Sequence, residues 1–136
     1  MKHLFPKEMM NNKELSCEEI ASKLSYFYEQ LHLYHLQTSS YAEHKALNGM
    51  YDFVASFKDT ILEQLQGYKG VRLKAYTIAP LKSHSPGSST VLINEIKEFS
   101  KSLKHYAQMY EMEGIDSINQ DLEGECAKTL YLLTLS

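Results

Sequence analysis

The sequence predicts an all-α protein, a bundle of four helices with a longer connection in the middle. Apolar residues recur every three or four positions in four separate stretches, and two of these stretches begin with a Ser-x-x-Glu capping box. No stretch shows a convincing strand pattern. The chain has 136 residues, of which 43% are hydrophobic and 23% charged, as is typical of one globular domain. We expect an N-terminal tail over residues 1–15 and one helical domain over residues 16–136.

The first two helices are predicted to be antiparallel neighbours. A capping box at Ser16–Glu19 starts the first helix, which we expect over about residues 17–37. The sequence Thr38–Ser40 interrupts the apolar pattern, and a second capping box at Ser40–Glu43 starts the second helix. This helix should end near Gly67, because glycine adopts the left-handed cap conformation without strain. So short a break between two helices makes them pack side by side.

Apolar periodicity in the second half of the chain predicts two more helices, which follow an irregular connection. Within residues 68–89, the stretch before Pro80 could form a short extra helix, and the Ser-, Pro- and Gly-containing stretch after it is predicted as a loop. A third helix should start near Ser89 and be broken by Gly114. The fourth is expected over about residues 116–133.

Composition argues against several functions. The formal net charge of -3 lacks the concentrated positive charge that binding to nucleic-acid backbones requires. No apolar run approaches the roughly 20 residues of a membrane-spanning helix. Cys17 and Cys126 have no metal-binding or redox spacing, so we expect two free thiols in a reducing cytoplasm.

A polar stripe on the second predicted helix indicates a metal site. At 100° per residue its members lie within about a quarter-turn and flank the apolar face. They are His44, Asn48, Asp52, Asp59 and Glu63. Across the short turn, His35 can approach His44. However, His44 and Asp59 are 15 residues apart. That separation is about 22 Å along a helix, whereas first-shell ligands lie about 2 Å from a metal ion.

A second copy of the chain would resolve this separation. A two-fold axis between antiparallel second helices sets the histidine end of one chain against the carboxylate end, Asp59 and Glu63, of its partner. Two identical sites with nitrogen and oxygen ligands result, and such ligands suit iron, zinc or manganese better than calcium. The alternative is that Asp59 and Glu63 are ordinary solvated charges.

Two other histidines receive no functional role from the sequence. Glu29 and His32 match the E-x-x-H motif of di-iron bundles, but that site needs a second copy of the motif, which the chain lacks. We therefore interpret the match as accidental. His84, in the predicted loop, is expected to be solvated.

The stretch "LHLYHL", followed by "HKALNGMYDFVASFKDTILEQLQG", resembles the Dps proteins, the mini-ferritins of starved bacterial cells. His44 leads to Tyr51–Asp52 and then to the D-x-x-x-E pattern of residues 59–63 at the family's intervals. The resemblance covers about residues 20–135 and is specific over residues 32–67.

The resemblance implies a ferritin-like four-helix bundle that assembles as a homo-oligomer, in that family a hollow dodecamer. It implies a ferroxidase that oxidises iron(II) with hydrogen peroxide or dioxygen and stores ferric mineral, protecting the cytoplasm against peroxide. The catalytic and metal-binding residues would be His35 and His44 of one chain with Asp59 and Glu63 of the other. Zinc is another candidate metal.

Three features depart from the Dps pattern. Asn48 stands where many members have a carboxylate, which removes one negative ligand and should weaken the second iron position. The segment between the two histidines is shorter than usual, and Leu36 replaces a tryptophan. The N-terminal lysines are sparse and interspersed with acidic residues, which argues against the DNA binding of many members. The alternatives are therefore an inactive ferritin-like structural or interaction protein and a DNA-binding particle.

Overall fold

The computed structural model describes residues 14–136 and is all-α. Four helices follow one another along the chain: α1 (Cys17–Gln37), α2 (Tyr41–Lys69), α3 (Ser88–Met109) and α4 (Glu113–Leu133). Across this range there is no strand, and no helix has the length and apolar character needed to cross a membrane. The prediction of four helices is confirmed, whereas most of the predicted tail lies outside the described residues.

The helix ends differ from the sequence prediction in two places. α2 continues past Gly67, and Gly70 supplies the left-handed cap with φ 62°. The break after α3 is made at Glu111, which has φ 55°, and Gly114 lies in the first turn of α4. The prediction that Gly114 breaks the third helix is therefore wrong. Glycine costs a helix about 1 kcal/mol, and near an end this is easily tolerated.

The four helices pack antiparallel to their neighbours around one apolar core. α2 packs closely on both α1 and α4, and α4 packs on α3. Contacts between distant residues fix these directions, such as Thr129 Oγ1 to Met50 Sδ at 3.3 Å and Ser100 Oγ to Asn119 Oδ1 at 2.9 Å. α1 and α3 meet at few positions, so this side of the molecule is the most open. The largest fully buried side chains include Phe27, Leu47, Ile61, Ile96, Leu103 and Ile115.

The connecting segment, residues 70–87, contains no helix. The predicted short extra helix is therefore wrong. The segment runs alongside α1, whose side chains bind its backbone. Buried Gln30 donates to the carbonyl of Lys82 and accepts from its N–H, both at 2.8 Å. Gln37 accepts from His84 N at 2.7 Å. Because α1 satisfies these backbone groups, and because Pro80 has no N–H, the segment gains little by coiling into its own helix.

Candidate functional site

Two stacked histidines close the turn between α1 and α2. The rings of His35 and His44 lie 3.7 Å apart between centroids and are inclined by 19°. His35 Nδ1 is 2.8 Å from the carbonyl oxygen of His44, and His44 Nδ1 is 2.9 Å from the carbonyl oxygen of His35. The predicted approach of these two residues is therefore confirmed, and a reciprocal pair of hydrogen bonds fixes it.

These hydrogen bonds determine the form of both imidazoles. A carbonyl oxygen can only accept, so each Nδ1 must carry its hydrogen and donate it. In a neutral ring, Nε2 then holds the lone pair that binds metal ions. Neither Nε2 atom has a hydrogen-bond partner among residues 14–136. Histidines that bind metals usually donate their other ring N–H to a carbonyl or carboxylate, which sets the orientation of the ring.

Aromatic side chains pack around the histidine pair. The Tyr51 ring lies 5.1 Å from the rings of both His35 and His32, in edge-to-face contact. His32 stacks on His35 at 5.9 Å, and Tyr28 packs on Tyr51 at 5.8 Å. Burial, and then the nearby charge of Asp52, raise the pKa of the Tyr51 hydroxyl above its ordinary value. His32, which the sequence left without a role, belongs to this cluster. Its spacing from His35 on one helix was the signal.

Asn48 serves the cluster indirectly. Its Oδ1 accepts from the Tyr51 hydroxyl at 2.9 Å, and its Nδ2 donates to Asp52 Oδ2 at 3.3 Å. Both polar ends of the amide are thus used within α2. Asn48 thus positions Tyr51 against the His35 ring, whereas the sequence had indicated Asn48 only as a candidate metal ligand.

The predicted carboxylates lie apart from the histidines. Asp59 and Glu63 are exposed on α2, more than four turns beyond His44. In the part of the chain that the structure describes, no three His, Cys, Asp or Glu side chains come together in a group that could hold a metal ion. One chain therefore provides two imidazoles at one end of α2 and two carboxylates at the other. Their association with one metal ion stays a prediction.

A second polar cluster ties the connecting segment to the start of α2. His84 Nε2 lies 2.7 Å from Glu43 Oε2, which also accepts from the Ser89 hydroxyl, and Thr38 Oγ1 donates to Glu43 Oε1 at 2.9 Å. The side chain of His84 is only 18% exposed, and its ring packs edge-on against Tyr34. The prediction that His84 is solvated is wrong, because a carboxylate 41 positions earlier in the chain binds it.

We expect Glu43 to make the free energy of unfolding depend on pH in the acidic range. Burial alone would raise the pKa of its carboxyl group, but hydrogen bonds from Ser89, His84 and Thr38 outweigh burial and lower it. A carboxyl group whose pKa is lower in the folded state stabilises the protein at pH values above its unfolded-state pKa, which is about 4.3 for glutamate. This stabilisation is lost as the pH falls through the folded-state pKa. Glu43→Gln should lose about 1–3 kcal/mol at neutral pH and show a shallower acid dependence of the free energy of unfolding.

Urea denaturation between neutral pH and pH 3 measures this difference. Glu98→Gln is the matched control, because Glu98 pairs with Lys101 at 3.3 Å on the surface and its side chain is 71% exposed. Exposed pairs contribute at most about 1 kcal/mol. Equal acid dependence in Glu43→Gln and the wild type would contradict the assigned role of Glu43.

The fold and the site define an all-α protein with a histidine pair at one interhelical turn. The chain belongs to a family of unknown function, DUF5856, whose model matches residues 35–133 and so includes both histidines and both carboxylates. It is 32% identical over 105 residues to the "Uncharacterized 14.6 kDa protein in mobD-ri intergenic region" of Enterobacteria phage T4, a match covering 76% of this chain and 77% of that protein. No solved structure matches the chain.

These comparisons correct the assignment to the Dps family. The family matched is DUF5856, and neither a Dps family nor a ferritin-like one is found. The resemblance depended on a few polar positions along one amphipathic helix, such as Asp59 and Glu63 at i and i+4. Helical periodicity alone produces such spacings on a solvated face, so they do not establish common ancestry.

Proposed function

We propose that this protein binds a divalent transition-metal ion, with iron(II) the first candidate and zinc the second, at sites shared between two copies of the chain. The observation that supports this most is the orientation of His35 and His44. Their Nδ1 atoms are engaged with backbone carbonyls, so two Nε2 lone pairs are available at one turn.

A second copy supplies the remaining ligands in this proposal. Two imidazoles are too few for a four-coordinate site, and the carboxylates of Asp59 and Glu63 lie about 22 Å and about 28 Å from His44 along the same helix. When two α2 helices lie antiparallel across a two-fold axis, the histidines of one meet the carboxylates of the other. The dimer then carries two equivalent sites, each with nitrogen and oxygen ligands that suit iron or zinc.

We also infer that the four helices form a ferritin-like bundle. Ferritin-like bundles have antiparallel neighbours and one long crossover connection, and residues 70–87 form a connection of this kind between α2 and α3. Such bundles use side chains on helices to hold metal ions, which is consistent with ligands on α1 and α2.

Iron oxidation is the reaction we propose for the bound metal. Two iron(II) ions each give up one electron, and hydrogen peroxide accepts both electrons with two protons as its O–O bond breaks, leaving two iron(III) ions and two water molecules. The carboxylates stabilise the ferric product because hard anionic oxygen ligands favour the higher charge. The consequence would be protection against peroxide and retention of iron.

An anaerobic iron(II) titration tests the proposal. The wild-type protein should saturate at about two iron(II) ions per chain, because the proposed reduction of peroxide takes one electron from each of two ions at one shared site. Replacing both Asp59 and Glu63 with alanine should weaken binding at least about tenfold and slow peroxide-driven oxidation, because oxygen ligands are lost. Both residues are exposed, so the helical circular dichroism should not change. Saturable binding of equal affinity in this variant would exclude the carboxylates as ligands.

A non-catalytic interaction protein is the second candidate function. The reciprocal bonds of His35 and His44 brace the turn between α1 and α2 without any metal. Beside that turn, the side chains of Leu36 and Tyr41 are 63% and 75% exposed. In this second proposal they form part of the surface that contacts a partner protein. A wild-type protein that dimerises but shows no saturable binding of iron(II) or zinc would favour this function.

A further inference from the structure

A long groove separates α1 from α3. Its volume is about 1410 Å³, and the connecting segment forms one of its walls. Apolar side chains line it from α1, α3 and the segment, including Phe27, Phe99, Leu81 and Val91. Val91 is 60% exposed and Leu81 40%, so part of this apolar lining faces solvent within the described structure. A second apolar element covering the groove would gain stability from burial.

The groove is also acidic. Four glutamates and two lysines line it: Glu18, Glu19, Glu95, Glu98, Lys23 and Lys82. An occupant with apolar side chains and a positive charge would therefore match both the lining and the charge of the groove.

We propose that residues 1–13 of this chain occupy the groove as an intramolecular ligand. Their sequence, "MKHLFPKEMMNNK", combines apolar side chains with three lysines and one glutamate. Leu4 and Phe5 are the apolar side chains best suited to cover Val91 and Leu81, because branched and aromatic groups bury the most area. The lysines complement the glutamates along the groove.

The point at which this segment joins the domain supports the assignment. Leu15 is itself part of the groove lining, and Lys69 Nζ donates to its carbonyl oxygen at 2.8 Å. The chain is therefore held at the groove immediately before α1. The lining on α3 extends from Val91 to Ser102, about 17 Å at 1.5 Å per residue. An extended segment covers that distance with about five residues, at roughly 3.3 Å each, so residues 1–13 are long enough.

Nuclear magnetic resonance on the full chain tests this placement. We expect nuclear Overhauser contacts between the ring protons of Phe5 and the methyl groups of Val91 or Leu81. In the variant Leu4→Ser with Phe5→Ser, those methyl resonances should shift because the ring that covers them is lost. The variant Asn11→Ser with Asn12→Ser alters the same segment without changing its charge or its apolar side chains, and should leave the resonances in place.

The outcomes decide between this proposal and others. Groove resonances that are identical in the wild type and in the Leu4→Ser, Phe5→Ser variant would overturn it. Contacts seen only between differently labelled copies in a mixed sample would also overturn it, because the occupant would then belong to a second copy. Neither result bears on the metal site, which lies at the turn between α1 and α2.

Discussion

Replacing both His35 and His44 with alanine should abolish saturable iron(II) binding, with a rise in Kd of about 100-fold or more. In the proposed site each imidazole contributes a nitrogen ligand, and its Nδ1–H already donates to a carbonyl oxygen at 2.8 or 2.9 Å. Removing both takes away half of the proposed four-ligand site, and even the loss of a partner that only orients a ligand typically costs 10–100-fold in affinity. Anaerobic titration with iron(II), monitored by calorimetry, measures the change in Kd.

The control for this variant is His105→Ala. His105 is exposed on α3, away from the turn, so its removal tests non-specific binding to surface histidines. Circular dichroism and urea denaturation establish that the double variant remains folded, with a loss of about 1–3 kcal/mol from the two missing hydrogen bonds. Equal iron affinity in the wild type and in the His35, His44 variant would contradict the assignment of these residues as ligands.

Gln30→Ala should destabilise the protein by about 2–4 kcal/mol. The Gln30 side chain is fully buried, and its amide forms two 2.8 Å hydrogen bonds with the backbone of Lys82. Alanine removes both bonds and leaves a cavity where the side chain was. The connecting segment loses its central attachment to α1. Urea denaturation at pH 7, followed by circular dichroism at 222 nm, measures the free energy of unfolding.

Gln37→Ala is the matched control for this prediction. Gln37 is exposed and accepts one hydrogen bond from the same connecting segment, at His84 N. Its loss should cost no more than about 1 kcal/mol, because water can replace an exposed partner. If the two variants were equally stable, the central role of Gln30 in holding the segment would be disproved.

Local signals explain why the helices could be predicted from the sequence. The capping box of Ser16 and Glu19 forms as expected, with both hydrogen bonds at 3.0 Å, and α1 ends at Gln37. Apolar periodicity located the other helices to within a few residues. Their ends were harder to predict because Gly67 and Gly114 each fit a helix interior as well as a cap.

The connecting segment and its contacts could not be predicted because they depend on residues distant in sequence. Gln30 and Lys82 are 52 positions apart, and Glu43 and His84 are 41 apart. Polar side chains that bind extended backbone follow no repeating pattern. The sequence of residues 70–87 therefore does not indicate which side chains form hydrogen bonds with the backbone of this segment.

The candidate site could be predicted in part. A short turn between two helices brings His35 close to His44, and the sequence indicated this. The reciprocal carbonyl bonds that orient the rings depend on the conformation of the turn and could not be foreseen. His32 could have been included from its spacing of three residues from His35 on α1, whereas its contact with Tyr51 on the neighbouring helix could not be predicted. The proposed contribution of a second copy rests only on the separation of the candidate ligands along α2.

Mixing two inactive variants tests the shared site most directly. One variant lacks His35 and His44, and the other lacks Asp59 and Glu63; each alone should bind almost no iron(II). After the subunits are exchanged at equal concentration, half of the dimers are mixed, and each mixed dimer has one complete site of two. We predict recovery of about a quarter of the wild-type binding capacity. If subunit exchange is verified and no capacity returns, the two ligand pairs do not meet across a dimer and the shared site is refuted.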